Sequence, residues 1–327
     1  MTSLVSIIIP CFNADQFIDR SIESVFEQDW PNIELIIIDD GSTDNSANHI
    51  HKWIDRFSKR GYVLKYFFQE NKGPGGAIDT GLKLVSGEYL SLLDADDRLL
   101  PDSISERANY LISHPDYSLV RSNGYIVSCN NKWLFTYDAA EKTGNLFDLL
   151  MRGKTYNWAG SYMVKTSILF SVLNDRSIYP SRFGQNLQIL IPASYKQECG
   201  FIDKPLMEYI REGDSLSKAT DKTRAKEKGI LNAFGYHDIR KHIIDALPLS
   251  SDEKTYWLKV AEGIFHRRLL QIAIEHGDTA MAKTNIHVLD VCGELLIEDR
   301  IAYASFKKNI SSLFWRGINK IKKLSKT

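Results

Sequence analysis

Four short apolar runs punctuate the first third of the chain. Residues 5–9 (VSIII), 33–38, 63–68 and 89–93 are rich in β-branched and aromatic side chains, and they are apolar on both faces. Runs of this kind predict strands covered on both sides of a sheet. Between the first two runs, Phe17, Ile18, Ile22, Val25 and Phe26 recur at helical spacing within residues 15–26. Ile50, Trp53, Ile54 and Phe57 mark a second helix, with Ser42 or Thr43 as its expected cap. Residues 77–85 predict a short third helix. Alternating strands and helices predict an α/β layer with a mainly parallel sheet flanked by helices.

Beyond Arg98 the pattern loosens. Residues 133–137 and 162–164 read as short strands, and residues 200–209 as a strand with a turn at Lys204 and Pro205. From about residue 220 the reading turns helical, through residues 239–244, 256–274, 281–289 and 301–324. The polar stretch 215–228 marks a boundary. The predicted organisation is a domain over residues 1–217, with halves 1–105 and 106–217, and a helical C-terminal region over 218–327.

Composition narrows the class. Hydrophobic residues make up 43% and charged residues 25%, as in soluble globular proteins. A formal net charge of zero gives no electrostatic case for a nucleic-acid partner. The balance is uneven, because residues 306–327 hold seven basic residues and no acidic one. Phe306, Ile310, Leu313, Phe314, Ile318, Ile321 and Leu324 fall on one face of that segment, with Trp315 at its edge. This basic, amphipathic terminal helix reads either as a peripheral membrane contact or as a helix packed on the protein's own body. Cys11, Cys129, Cys199 and Cys292 form no C-x-x-C pair, which argues against a zinc site or disulfide framework and fits a reducing cytoplasm. No secretory signal and no membrane-spanning run is read.

Candidate chemistry lies where strands end. The fourth apolar run leads into Asp94, Asp96 and Asp97, the second into Asp39 and Asp40, and the first into the turn from Pro10 to Asn13. Clustered carboxylates repel one another unless a cation sits among them, and Mg²⁺ or Mn²⁺ favours such oxygen donors together with substrate phosphates. In open α/β sheets, ligands bind beyond the carboxyl ends of the strands. The bland alternatives are a solvated turn for Asp94–Asp97 and capping of the following helix for Asp39 and Asp40.

The segments SIIIPCFN (6–13), DDGSTDNS (39–46), NKGPGGAIDTGL (71–82) and LLDADD (92–97) resemble, in order and spacing, the family 2 glycosyltransferases with the GT-A fold. The resemblance covers about residues 3–217. It implies a metal-dependent transferase that moves a sugar from a nucleotide-diphosphate donor, uridine-linked, to a glycan or lipid-linked acceptor. Residues 1–105 become the nucleotide-binding half and 106–217 the acceptor half. The resemblance places Pro10, Phe12, Asn13, Asp39, Asp40, Asp94 and Arg211 around the nucleotide, and Asp94 and Asp96 on Mn²⁺ or Mg²⁺. The location it suggests is cytoplasmic, peripheral on the inner face of a membrane. Arg211, with Ser215 and Ser217, matches a loop over the pyrophosphate.

Two departures stand out. Ile78 and Asp79 replace the Arg and Asn common in relatives. More consequentially, Gln185 and Asn186 occupy the positions of the acidic pair that normally supplies the general base, and an amide cannot act as a base near neutral pH. Three readings stay open. The base comes from elsewhere, with Asp97, Asp175 and Asp214 as candidates; or the amides bind the acceptor while another group takes the proton; or the chain is a non-catalytic nucleotide-sugar binding or scaffolding subunit.

Overall fold

The computed structural model describes residues 2–128, 131–136, 138–211 and 222–308. They fall into two compact units, Met1–Leu150 with Lys154–Gly213, and Met151–Gly153 with Asp214–Thr327.

In the first unit, β1 (Val5–Cys11), α1 (Ile18–Phe26), β2 (Ile33–Asp39), α2 (Ser46–Arg60), β3 (Val63–Phe68), α3 (Gly73–Leu84) and β4 (Tyr89–Leu92) alternate as the apolar runs predict. β1 pairs in parallel with β2 and β4, and β2 with β3. All seven residues of β2 are buried, which is why, apart from Glu34 and the terminal Asp39, its sequence is apolar on both faces rather than alternating. Ile18, Ile22 and Val25 of α1 and Ile50 and Phe57 of α2 pack into the same core as Ile7, Ile9, Leu35 and Ile37.

The chain continues through β5 (Arg98–Leu99), α4 (Ser103–Ser113), β6 (Tyr117–Ser128), β7 (Asn131–Leu134), α5 (Ala139–Thr143), α6 (Leu146–Met151), β8 (Tyr162–Lys165), α7 (Thr166–Val172), α8 (Gln185–Ser194) and β9 (Glu198–Arg211). The sheet order is β3-β2-β1-β4-β8-β6-β9-β5, with β7 attached to β6. β8 runs antiparallel to both β4 and β6, while β9 is parallel to β6 and antiparallel to β5. The result is a mixed sheet whose nucleotide-half strands are parallel.

Three local readings are corrected. β6 lacks the apolar signature of a strand because its middle buries Arg121, Ser122 and Asn123. Arg107, itself fully buried, donates to Ser122 Oγ (2.8 Å) and to Gly160 O (2.5 Å), while Asn123 Nδ2 donates to Thr136 O (3.0 Å). Polar groups paired this way are tolerated inside a sheet. β9 runs straight through Lys204 and Pro205, absorbing the irregularity as a register shift between Ser122 opposite Ile202 and Asn123 opposite Pro205. α3 begins at Gly73, so Gly73, Gly75 and Gly76 form its first turn rather than a separate loop. At Gly75 a Cβ would lie 2.4 Å from Ser181 O, so only glycine fits against the segment that crosses it.

Glu34 is a buried carboxylate inside the apolar β2. It accepts from Lys65 Nζ (2.7 Å), Ser86 N (2.7 Å), Ser86 Oγ (2.6 Å) and Ser6 Oγ. Burial alone would raise its pKa, but the bonds from Lys65, Ser6 and Ser86 outweigh it and hold the group below its ordinary 4.5. Its stabilising effect is therefore complete above about pH 4.5 and is lost as pH falls through the lower folded value. Glu34→Gln should flatten the acid side of the stability–pH curve. An unchanged acid transition, followed by urea unfolding between pH 3 and 6, would argue against this role.

The second unit is helical, with α9 (Lys222–Ala246), α10 (Ser251–Glu275), α11 (Thr279–Val291) and α12 (Ile297–Lys307). Ser250 and Glu253 close a capping box at α10, and Asp278 Oδ1 accepts from Met281 N at the start of α11. Leu270, Ala273, Ala282 and Leu289 form its core between α10 and α11. No helix among the described residues is long and apolar enough to cross a membrane. The basic amphipathic segment expected over 306–327 begins within the last turn of α12, and from residue 309 it lies outside the described residues.

Candidate active site

Parallel pairing of β1, β2, β3 and β4 brings the turns that follow them to one edge of the sheet. Asn13 stitches the first two together: its Oδ1 accepts from Thr43 N (2.8 Å), and its N–H donates to Ser42 Oγ (3.0 Å). It does so from the left-handed region, at φ 48°, which Asn tolerates better than most residues. Ser42 and Thr43 thus serve this turn, and α2 starts later, after Asn45, without the cap expected of them. Phe12 stands 51% exposed at the edge.

Asp39 and Asp40 are both buried. Asp39 accepts from Ser42 N (2.8 Å) and Tyr66 OH (2.8 Å). Asp40 accepts from Gln69 Nε2 (2.7 Å), Lys72 N (2.8 Å) and Gly73 N (2.7 Å). Asp40 therefore caps the start of α3, the helix after next, rather than the helix that directly follows it. A carboxylate has about four acceptor positions; three are taken on Asp40 and two on Asp39.

The acidic turn after β4 is held by its backbone. Ser21 Oγ of α1 lies 2.7 Å from both Ala95 O and Asp97 O, and Arg20 donates to Asp96 O (2.6 Å). With the carbonyls fixed, the three side chains are presented differently: Asp94 half-buried, Asp96 exposed and Asp97 fully buried. Desolvation, followed by the charge of Asp96, pushes Asp94 up to about 7. Asp97 is raised well above the carboxylate range by burial and then by Asp94 and Asp96. Its Oδ1 accepts from Ile210 N (2.9 Å), and its Oδ2 has no hydrogen-bond partner. Among the described residues no group of three or more His, Cys, Asp or Glu is arranged to hold a metal ion by itself.

The Asp97–Ile210 bond brings the end of β9 to this turn, and with it Tyr209 and Arg211. Arg211 lies over the Tyr209 ring at 5.5 Å, and Tyr209 stacks on Trp158 at 5.1 Å. Asn186, at the start of α8, is also drawn in: Tyr162 OH donates to Asn186 Oδ1 (2.7 Å), and Asp94 is close enough to raise the Tyr162 hydroxyl further above a pKa already lifted by burial. Asp175 is not drawn in. Its neighbour Arg176 donates to Val85 O, just past the last residue of α3 and so at the amino edge of the sheet. Asp79 is occupied structurally, accepting from Ser177 Oγ (2.5 Å) and Ile178 N (3.0 Å). Asp214, Ser215 and Ser217 lie outside the described residues.

Sequence reasoning missed Arg20, Ser21, Tyr162, Trp158 and Tyr209. Ser21 and Arg20 carry no motif, since their partners are backbone carbonyls. Trp158 sits in a segment with no periodicity, and Tyr162 and Tyr209 read only as strand residues.

A site formed by three polar turns at the carboxyl edge, with an acidic one at its centre, is open to comparison with known proteins. The family model described as Glycosyl transferase family 2 matches residues 6–175, just over half of the chain. An uncharacterized glycosyltransferase of Rickettsia bellii is 28% identical over 240 residues, 71% of this chain and 32% of that protein. One of Haemophilus influenzae is 38% identical over 127 residues, 39% of this chain and 48% of that protein. The chain thus spans between a third and a half of the length of these curated relatives. Among solved structures, S. aureus TarS 1–349 in complex with UDP superposes with a TM-score of 0.59 at 14% identity, covering 93% of this chain and 91% of that one. The complex of the same protein with UDP-GlcNAc gives 0.56 at 18% identity, covering 93% and 92%. The fold is of the GT-A type, and the chain belongs to glycosyl transferase family 2.

Proposed function

We propose that this chain transfers a sugar from a nucleoside-diphosphate donor, uridine-linked, to a glycan or lipid-linked acceptor, with a divalent metal at the diphosphate. One observation carries the reading: Asp94 and Asp96 stand at the same sheet edge as the Asp39–Asp40 and Pro10–Asn13 turns. The free acceptor positions of Asp39 and Asp40 suit the imide N–H of a uracil ring, so capping and base recognition are compatible. Pro10, Phe12 and Asn13 would line the same pocket. The TarS structures, solved with UDP and UDP-GlcNAc, lend support at the level of fold.

The donor set fits Mn²⁺ or Mg²⁺ of a particular kind. Asp94, whose proton affinity is raised by burial and then by the charge of Asp96, stands with it in no closed protein cage among the described residues, and such a pair suits an ion completed by substrate phosphates and water. Asp94 and Asp96 would hold it, and its charge would offset the one that builds on the leaving nucleoside diphosphate. Arg211, at the end of β9, would add a guanidinium fork for the diphosphate. Ser21 and Arg20 fix the backbone that aims both carboxylates. Asn186, bonded to Tyr162, would orient an acceptor hydroxyl by hydrogen bonding.

The second reading, a nucleotide-sugar binding or scaffolding subunit, is favoured by Gln185 and Asn186 alone. Donor hydrolysis and transfer measured with UDP-sugars and Mn²⁺ separate the two. Turnover in any donor–acceptor combination is the expected result. Measurable UDP binding without turnover across the panel would establish the second reading instead.

A further inference from the structure

The helical unit contains a cavity of about 460 Å³ lined by α9, α10 and the loop at Arg152 and Gly153. Its size is that of a small-ligand site. One wall is aromatic: the Phe265 and His237 rings stack at 4.5 Å, with Tyr236 alongside. Four arginines, Arg152, Arg240, Arg267 and Arg268, face the same space among neutral residues such as Asn232, Ile264 and Gln271.

These arginines are not equivalent. Arg267 is neutralised by Asp299, with its Nε 2.9 Å from the carboxylate. Arg240 is only 7% exposed, yet its Nε has no hydrogen-bond partner among the described residues, where its one hydrogen bond is a 3.3 Å bond from an Nη to Tyr236 O. No carboxylate among the described residues pairs with it. Arg268 is exposed and reaches only Gln271 Oε1, at 3.4 Å. His237 faces Glu262 through its Nε2 at 3.3 Å. A guanidinium held dry without a counter-charge is strongly unfavourable, and an anion with several acceptor oxygens relieves that cost. The planar fork of Arg matches phosphate oxygens in pairs.

We propose that this cavity binds the phosphate group of a ligand, with Arg240 as the buried anchor, Arg268 as the outer contact and the Phe265–His237–Tyr236 wall against the ligand's less polar part. The site is separate from the acidic turn and does not depend on the sugar-transfer reading. The chemistry is shared by free phosphates and phospholipid headgroups. Pyrophosphate titrated into the full chain by calorimetry, and co-sedimentation with phosphatidylglycerol vesicles, tell the two sources apart. Binding in either arm should weaken at least about tenfold in Arg240→Gln, the effect expected for losing a charged hydrogen-bonding partner. It should weaken severalfold in Arg268→Ala and hold in Arg300→Ala, a surface arginine of α12 outside the cavity. Should Arg240→Gln fail to fold, the comparison of Arg268→Ala with Arg300→Ala decides. No saturable binding in either arm, or equal loss in Arg268→Ala and Arg300→Ala, overturns the proposal.

Discussion

Replacing Asp94 and Asp96 together by alanine should abolish metal-dependent UDP binding and lower sugar transfer by at least about a hundredfold, since charge stabilisation by a bound metal is worth several kcal/mol. The backbone of the turn has supports of its own. Ser21 and Arg20 hold it through carbonyls. The side chains themselves oppose one another: burial, and then the charge of Asp96, pushes Asp94 up to about 7. Titration of UDP with and without MnCl₂ reads the effect. Mn²⁺-dependent affinity that survives the double substitution would remove Asp94 and Asp96 from the metal.

Asp40→Ala should behave in the opposite way, with a large loss of stability whatever the nucleotide does. Its carboxylate accepts one side-chain and two backbone N–H groups, at 2.7–2.8 Å. Bonds to a charged acceptor contribute about 1.5–3 kcal/mol each, and a buried N–H left unpaired costs more than a bond never made. A loss of about 3 kcal/mol or more is expected in urea unfolding. Asp40→Asn keeps one acceptor but turns an NH₂ group towards a donor, and should fall between. A loss below about 1 kcal/mol for Asp40→Ala would mean that the start of α3 is held by something other than this cap.

The contrast between these two carboxylate groups bears on what could be read beforehand. The nucleotide half was legible because β1, β2 and β4 are buried on both faces and β3, though largely exposed, keeps an apolar, aromatic run, so all four appear as short apolar segments, and parallel pairing then forces their following turns to one edge. Which aspartate does structural work was not legible. Asp39, Asp40, Asp94 and Asp97 look alike in sequence, and only the fold gives Asp40 three donors and leaves Asp97 with a bare Oδ2. The acceptor half was largely hidden. β6 replaces apolar contact with a buried network around Arg107 and Arg121, and such a network has no periodicity. Asn186 was located by its position before α8, but its bond to Tyr162 depends on two elements 24 residues apart.

The order of strands has a kinetic consequence. Among the described residues the Asp97 carboxylate receives its one hydrogen bond from Ile210, 113 positions later, and β4 has no neighbour on its second side until β8 arrives. At 5–20 residues per second, a ribosome takes roughly ten seconds to supply β9. Throughout that interval the nascent chain carries an apolar strand with an open edge, next to an acidic turn still wet with solvent. The charges that crowd the finished site are then fully hydrated, and mutual repulsion between emerging chains would discourage the edge-to-edge pairing that an open strand invites. The acidic turn is thus placed where its charge would protect the half-made protein as well as where it serves the complete one.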